Sequence, residues 1–152
     1  MSRKVSIIAI SYNHGPFIEE ALNSVFNQTH DDIDLIILDD GSTDNSRDEI
    51  KRVLGEREAK LFLHNENIGY TKIFNKGLAE ANGEFVVDFA LDDVMRPDFL
   101  KESLKAHQQN GEGYGVSFSN AEYINPQSKV IEVHADWLKK QGIIESIPSG
   151  DI

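Results

Sequence analysis

The chain has 152 residues, of which 39% are hydrophobic and 27% charged, a composition typical of one folded domain and wrong for a disordered chain. Twenty-six acidic residues against fifteen basic ones give a formal net charge of −11 without a basic cluster, which excludes nucleic acid as a partner. The absence of cysteine excludes disulfides, thiolate metal sites and thiol nucleophiles.

The N-terminal apolar run, residues 5–10, follows a basic start but is short and lacks a signal-peptide cleavage pattern. No segment approaches the ~20 apolar residues that a membrane span needs. We therefore expect no membrane span in this chain and a cytoplasmic location.

Apolar runs alternate with helical periodicity along the first two thirds of the chain. Strands are predicted at residues 5–10, 33–38, 60–64 and 85–91. Each run precedes a polar loop and a helix; Pro16 and Pro97 are predicted to open the first and fourth helices, and Gly55 and Gly83 to close the second and third. Four strand–helix units predict an α/β fold with a mainly parallel sheet and helices on both faces.

The alternation stops after Gly115. Residues 116–124 and 130–133, separated by a five-residue loop, predict an antiparallel pair of strands. The stretch from Trp137 to Ile152 is amphipathic at first and then ends without a closing element. We find no internal repeat, low-complexity tract or domain linker.

Polar residues follow every predicted strand. They are Ser11-Tyr12-Asn13, Asp39-Asp40, Asn65-Glu66-Asn67 and Asp92-Asp93. Because parallel strands end at the same edge of a sheet, these side chains are expected to share one ligand-binding cleft. Clustered carboxylates repel one another unless a bound cation offsets their negative charge. Oxygen ligands are the kind that Mg²⁺ and Mn²⁺ prefer.

Each motif also has a structural interpretation. A motif such as residues 39–44, taken alone, is more often a turn with a helix cap, and a lone tyrosine such as Tyr12 is more often a packing residue. Asp92-Asp93 can complement the dipole of the next helix. A phospho-acceptor signalling domain also gathers carboxylates and Mg²⁺ at strand ends. That class needs acidic residues after the first strand, where this chain has Ser11 to Asn13.

Taken in order, the motifs resemble the nucleotide-binding half of the inverting family-2 glycosyltransferases. The matching segments are residues 5–13, 38–44, 67–69 with 75–77, 83–85 and 91–93. Order and spacing agree from about Val5 to Leu100. The resemblance implies the GT-A fold, a Rossmann-like arrangement, and transfer of a sugar from a nucleoside diphosphate sugar to a hydroxyl group with Mg²⁺ or Mn²⁺.

The resemblance also implies roles for the residues after the first two strands. Tyr12 is expected to stack on the base, with Ser11 and Asn13 beside it in the donor-binding loop. Asp40 is expected to accept a hydrogen bond from a uracil-type imide, which favours a UDP-sugar. His14 follows the same loop and is a further candidate for a donor contact.

Further roles fall on the next loops. Asp39 and Ser42 are expected to shape the loop around the base, and Lys72 is the cationic candidate for a base or phosphate contact. After the fourth strand, Asp92 is expected to contact the ribose and Asp93 to bind the metal, with Asp92 as a second metal ligand.

The chain departs from the family pattern in three places. Ala90 stands where the acidic motif has its first carboxylate, and Phe74 stands where many relatives carry Arg. The family's general base lies beyond the length of this chain, so we expect a fragment of a longer glycosyltransferase whose base lies past Ile152. Three carboxylates are available in this chain, but the residues around them do not indicate that any of them is the base: Asp136, Glu145 and Asp151.

The expected organisation is one nucleotide-diphospho-sugar-binding domain over residues 1–152. Residues 1–110 form the donor-binding core, and residues 111–152 begin the acceptor side. The expected acceptor is a carbohydrate or a lipid-linked molecule, as in cell-wall or polysaccharide biosynthesis. A non-catalytic nucleotide-sugar-binding domain remains an alternative, and oligomerisation through an open sheet edge is also left open.

Overall fold

The computed structural model describes residues 3–110, 115–117 and 119–143. The chain divides into two compact units, Met1–Lys101 and Glu102–Ile152. Glu145 and Asp151, named above as available carboxylates, lie outside the described residues. Among the described residues, no helix is both long and apolar enough to cross a bilayer.

The first unit is built on a four-stranded sheet in the order β3-β2-β1-β4, with every pair parallel. Its strands are β1 (Val5–Ser11), β2 (Ile33–Asp39), β3 (Lys60–Leu63) and β4 (Phe85–Ala90). Its helices are α1 (Ile18–Phe26), α2 (Ser46–Leu54) and α3 (Tyr70–Glu80), and α4 (Phe99–Asn110) follows. The parallel α/β sheet predicted from the sequence is confirmed.

Strand β1 is central and pairs with both β2 and β4. In register, Ser11 lies beside Asp39 at the carboxyl end of β2, and Ile10 lies beside Ala90 at the end of β4. The chain order reverses at β1, because β2 and β3 lie on one side of it and β4 on the other. Such a switch point opens a crevice at the carboxyl ends of the strands, where ligands of open α/β sheets bind.

The core lies on both faces of β1, all seven of whose residues are buried. On one face Ile8 and Leu38 pack in a cluster with Ile73 of α3. Gly77 allows this close approach, because a Cβ there would lie 2.5 Å from Ile8 Cγ2. Right-handed crossovers place α1 and α2, which contact each other, on the opposite face from α3.

Two helices begin later than their prolines suggested. Helix α1 starts at Ile18 rather than Pro16, because the N–H groups of Phe17 and Ile18 both bond to the carbonyl of His14 and form a turn first. Helix α4 likewise starts at Phe99, two residues after its proline. Proline therefore marks the turn that enters each helix here, and not its first residue.

The amino end of the sheet is tied by a polar network. Ser6 Oγ donates to Asp34 Oδ2 at 2.8 Å and accepts the N–H of Asn82 at 3.1 Å and of Gly83 at 2.8 Å. Lys60 Nζ lies 3.0 Å from Asp34 Oδ1. The N–H groups of Asn82 and Gly83 are bonded to Ser6 and not within α3. The helix therefore ends at Glu80, and Gly83 belongs to the turn into β4.

The second unit contains a hairpin and a short helix. Strands β5 (Glu122–Ile124) and β6 (Val130–Val133) pair antiparallel across a loop at residues 125–129, and α5 (His134–Lys140) follows. The predicted strand over 116–124 is therefore confirmed only at 122–124. The described residues before it, 115–117 and 119–121, are not strand, and residue 118 lies outside the described residues.

Candidate functional site

The loop after β1 is tied to the loop after β2 by side-chain hydrogen bonds. Asn13 adopts a φ of 58°, which Asn tolerates better than most residues. Its Oδ1 accepts the N–H of Thr43 at 2.8 Å, and its own N–H donates to Ser42 Oγ at 2.9 Å. The predicted site residues Asn13 and Ser42 are thus in direct contact. Their hydrogen bonds hold the loop after β1 against the loop after β2.

Asp44 continues this connection. Its Oδ2 accepts the N–H of Gly15 at 3.0 Å, its Oδ1 accepts the N–H of Ser46 at 2.9 Å, and Ser46 Oγ in turn accepts the N–H of His14 at 2.8 Å. Burial disfavours the charged form of Asp44, but the hydrogen bonds from Ser46 and Gly15 outweigh burial and lower the pKa of Asp44. The ionised carboxylate of Asp44 therefore holds the loop after β1 in place.

Asp39 is fully buried and bonded within its own loop. Its carboxylate accepts the N–H of Ser42 at 3.1 Å and also the hydroxyl of Ser42. Arg47 Nε lies 2.6 Å from Asp39 Oδ1, and the same guanidinium donates to the carbonyl of His64. These contacts hold the loop after β2 together, and the roles expected of Asp39 and Ser42 around the base stay predictions.

Asp40 connects the loop after β2 to the start of α3. Its Oδ1 accepts the N–H of Ile68 at 2.8 Å, its Oδ2 accepts that of Gly69 at 3.0 Å, and its own N–H donates to the carbonyl of Ser11 at 2.8 Å. The next residue, Gly41, has a φ of +77°, and a Cβ there would lie 2.4 Å from a backbone carbon of the loop after β3. Each carboxylate oxygen of Asp40 retains acceptor capacity, so the expected imide contact stays a prediction.

The remaining predicted donor residues differ in exposure. Tyr12 is 43% exposed at the end of β1, and Lys72 is exposed in the first turn of α3. Ser11 is fully buried, and within the described chain its Oγ has no hydrogen-bond partner. Because this oxygen has almost no surface open to solvent, a direct contact between Ser11 and the donor stays a prediction.

The two carboxylates after β4 lie next to the end of β1. The N–H of Leu91 donates to the carbonyl of Ile10 at 2.8 Å, which continues the pairing of β4 with β1 by one residue. The N–H of Asp93 then bonds to the carbonyl of Ala90 at 3.1 Å and turns the chain. The carboxylates of Asp92 and Asp93 are thereby presented at the switch point of the sheet.

Asp93 is crowded by negative charge. Burial and the charge of Asp92 raise the pKa of Asp93, and His14 acts in the opposite direction. His14 Nδ1 lies 3.5 Å from Asp92 Oδ1, close enough for electrostatic attraction but without a hydrogen bond. A bound cation would relieve the repulsion between the two carboxylates.

This donor set fits a hard divalent cation held only partly by protein. Over the described ranges, no group of three or more His, Cys, Asp or Glu side chains forms a complete metal cage. Mg²⁺ is typically bound through one or two carboxylates, with phosphate oxygens and waters as its other ligands. Asp92 and Asp93 match that requirement, and no sulfur or clustered imidazole competes with it.

Two residues of this region carried no signal in the sequence. Ser24 and Gln28, at the end of α1, bond to the chain segment that follows Asp93. They lie about seventy positions earlier in the sequence, a separation that no local periodicity reveals.

A separate cavity of about 220 Å³ lies near the amino end of β2. Its lining includes Phe26, His30, Ile33 and Arg57. Because it opens at the end of the sheet opposite to the strand exits, it is not part of the site described above.

Comparison with known proteins places this arrangement in a family. The family model described as "Glycosyl transferase family 2" matches residues 6–142. A glycosyltransferase named alr2836, from Nostoc sp., is 41% identical over 106 residues, covering 69% of this chain and 33% of that protein. The chain thus spans about a third of the length of this curated relative.

Two solved structures share the fold. A mannosyltransferase from Pyrobaculum calidifontis, in complex with GDP-Man and Mn²⁺, has a TM-score of 0.65 and 26% identity, covering 69% of this chain and 32% of its own. TarS 1-349 from S. aureus, in complex with UDP-GlcNAc, has a TM-score of 0.64 and 26% identity, covering 80% of this chain and 40% of its own. The expected GT-A fold is confirmed, and the chain belongs to glycosyl transferase family 2.

Proposed function

We propose that this chain is the donor-binding part of a glycosyltransferase that moves a hexosyl group from a nucleoside diphosphate sugar to a hydroxyl group with inversion. The observation that carries the proposal is the Asp92–Asp93 pair at the switch point of the sheet. Asp93 there has a raised pKa, and the pair adjoins the loop that carries Tyr12. Membership of the family supports the same activity.

The nucleoside would lie against the loops after β1 and β2. Tyr12 offers an exposed ring for stacking on a base, with Ser11 and Asn13 beside it in the proposed donor-binding loop. Asp40 is the proposed acceptor for the imide of uracil. UDP is therefore the proposed nucleotide, and the UDP-GlcNAc bound by TarS supports that choice, whereas the GDP-Man bound by the mannosyltransferase makes GDP the necessary control.

The diphosphate would lie toward β4. Asp93 and Asp92 are the residues proposed to hold Mg²⁺ or Mn²⁺, with Asp92 also near the ribose and Lys72 as a cation for a phosphate or base. A divalent metal supplies charge neutralisation to the departing diphosphate when it is bound. Asp93 must be ionised for this role, and His14 favours that form.

The acceptor side is proposed to begin within residues 111–152, with residues 1–110 as the donor core. Inversion requires a base that takes the proton from the acceptor hydroxyl while its oxygen attacks the anomeric carbon opposite the diphosphate. Among the described carboxylates of that region, Asp136 is exposed and lies 3.8 Å from Lys139 in a surface ion pair. We assign it no catalytic role, and the proposed acceptor remains a carbohydrate or lipid-linked hydroxyl.

A second candidate function is nucleotide-sugar binding without transfer. Ala90 favours it, because this residue replaces the first carboxylate of the acidic motif. The two functions differ in turnover and not in donor binding, so release of UDP from UDP-sugar by the full-length protein, with an acceptor supplied, separates them.

The donor site is tested by calorimetric titration of UDP, GDP and ADP into the protein, each with Mn²⁺ and with EDTA. Binding of UDP that requires Mn²⁺ and exceeds that of GDP and ADP is the expected result. Equal binding of all three nucleotides would overturn the role of Asp40, and binding unaffected by EDTA would overturn the metal assignment.

A further inference from the structure

Helix α1 holds the chain segment that follows the two carboxylates of the donor site. The N–H of Met95 donates to Ser24 Oγ at 3.0 Å. Gln28 Nε2 donates to the carbonyl of Arg96 at 2.7 Å, and Gln28 Oε1 accepts the N–H of Leu100 at 3.2 Å. Three backbone groups within six residues are therefore bonded to two side chains of one helix end.

The chemistry of these contacts requires an amide at position 28. The carbonyl of Arg96 can only accept and the N–H of Leu100 can only donate, so the NH₂ and the oxygen of Gln28 are assigned by their partners. A second N–H of Gln28 bonds to the carbonyl of Ser24 at 3.1 Å. Glu at this position would oppose two carbonyl oxygens with a carboxylate. Met would leave the buried N–H of Leu100 without this partner and the carbonyl of Arg96 with only the N–H of Phe99.

The carboxylate pair is also anchored on its other side. The N–H of Leu91 bonds to β1 at Ile10, and the N–H of Asp93 bonds to Ala90. Met95, the first residue held by α1, comes only two positions after Asp93. Asp92 and Asp93 therefore lie in a short segment that is bonded to β1 on one side and to the end of α1 on the other.

The same helix begins at the nucleoside side of the site. The carbonyl of His14 accepts the N–H groups of Phe17 at 2.8 Å and Ile18 at 3.2 Å, where the loop carrying Tyr12 enters α1. One end of α1 thus adjoins the proposed base-binding loop, and its other end fixes the segment after the proposed metal ligands.

We propose that Gln28, together with Ser24, is a positioning residue that sets Asp92 and Asp93 for metal-dependent binding of the donor diphosphate. The inference rests on the proposed function, because it assumes that these carboxylates hold the metal. Gln28 acts through the backbone of residues 95–100 and touches neither metal nor nucleotide. Its effect should therefore fall on the diphosphate part of the ligand and spare the nucleoside part.

A purely structural role makes a different prediction. If Gln28 only stabilised the fold, its replacement would lower the free energy of unfolding and leave the affinity of the folded protein unchanged. Ser6 supplies the matched control, because it too is a buried polar residue, and its Oγ makes three hydrogen bonds at the opposite end of the same sheet. Loss of those bonds should cost stability without moving the donor site.

The experiment compares Gln28→Met, Ser24→Ala and Ser6→Ala with the unmodified chain, using UDP with Mn²⁺ and uridine alone as probes. Urea unfolding of each variant gives its stability. For Gln28→Met we expect about tenfold weaker Mn²⁺-dependent UDP binding, as for loss of an outer-shell partner of a metal ligand, with uridine binding unchanged. Ser24→Ala should show a smaller loss in the same direction, and Ser6→Ala should lose stability alone.

Two results would overturn the inference. One is unchanged UDP affinity in a folded Gln28→Met or, if that variant does not fold, in Ser24→Ala. The other is equal weakening of UDP and uridine, which would indicate a general loosening of the site. Failure of the proposed function is distinguishable from both, because the unmodified chain would then show no Mn²⁺-dependent UDP binding at all.

Discussion

His14 Nδ1 lies 3.5 Å from Asp92 Oδ1, so the loop after β1 meets the loop after β4 through two side chains. This contact joins the nucleoside side of the cleft to its acidic side. His14 is also the group that favours ionisation of Asp93, against burial and the charge of Asp92. The histidine therefore offsets part of the repulsion that the two carboxylates create.

Replacement of His14 should change the titration of Asp93. In the metal-free protein, His14→Ala removes the influence that lowers the pKa of Asp93, so that pKa should rise further. The carboxyl carbon of Asp93, followed by NMR across pH, reports it directly. His30→Ala, in the cavity near the amino end of β2, should leave the pKa of Asp93 where it was, and an unshifted Asp93 in His14→Ala would contradict the account.

Replacement of Tyr12 should weaken UDP and uridine alike, because stacking on the base does not depend on the phosphates. Tyr12→Ala is expected to cost about 1–3 kcal/mol in the binding of either ligand, measured by calorimetry. Tyr123→Ala is the control, since Tyr123 is 40% exposed against 43% for Tyr12 and lies in the second unit. A loss confined to UDP would exclude stacking as the role of Tyr12.

The buried ion pair between Asp39 and Arg47 should contribute strongly to stability. Arg47→Met leaves the fully buried carboxylate of Asp39 without its cation, and we expect a loss of about 3 kcal/mol in the free energy of unfolding, at the low end for buried pairs because Arg47 is 28% exposed. Arg52→Met is the control on the same helix. Arg52 is 53% exposed and pairs with Glu19 and Glu49, so its loss should cost far less than that of Arg47.

Urea unfolding at neutral pH measures both variants. Equal losses for Arg47→Met and Arg52→Met would show that burial of Asp39 adds nothing, and would remove the argument that Asp39 shapes the loop through this pair.

Asp34 should make stability depend on pH at the acidic end. Burial alone would raise the pKa of Asp34, but the hydrogen bonds from Ser6, Asn82 and Lys60 and the charge of Lys60 outweigh it and lower that pKa. A lowered pKa in the folded state gives a contribution that is complete above the unfolded value, near 3.8, and is lost as pH falls through the folded value.

Asp34→Asn should therefore be less stable than the unmodified chain by on the order of 1–2 kcal/mol at pH 7. The difference should shrink when unfolding is measured below the folded pKa of Asp34, because the unmodified residue is then protonated as well. A gap that stays constant from neutral to strongly acidic pH would contradict the proposed charge on Asp34.

The sequence was most informative where structure follows from local patterns. The apolar run of β1 and the polar residues at its end predict a buried parallel strand with a cleft at its carboxyl end, because such runs are buried on both faces and parallel strands end together. The central position of β1 in the sheet is known only from the structure. Asp92 and Asp93 were placed at that cleft for the same reason. Tyr12 and Asp40 came from the ordered motifs and remain predictions.

The rest depends on contacts between distant parts of the chain. Gln28 meets Arg96 across 68 positions, and Asn13 meets Thr43 across 30, and neither contact leaves a periodic trace in the sequence. Pro16 places the start of α1 two residues too early, because the carbonyl of His14 accepts two N–H groups in a turn that precedes the helix. Such details follow from tertiary packing, which local propensity does not determine.

The proposed donor site depends above all on Asp93, which would hold a divalent cation that binds the donor diphosphate. It is tested most directly by titrating UDP with Mn²⁺, and uridine alone, into the unmodified chain and into Asp93→Asn. We expect Asp93→Asn to abolish most of the gain in UDP affinity that Mn²⁺ provides and to leave uridine binding intact. An unchanged Mn²⁺-dependent gain in the variant would contradict it.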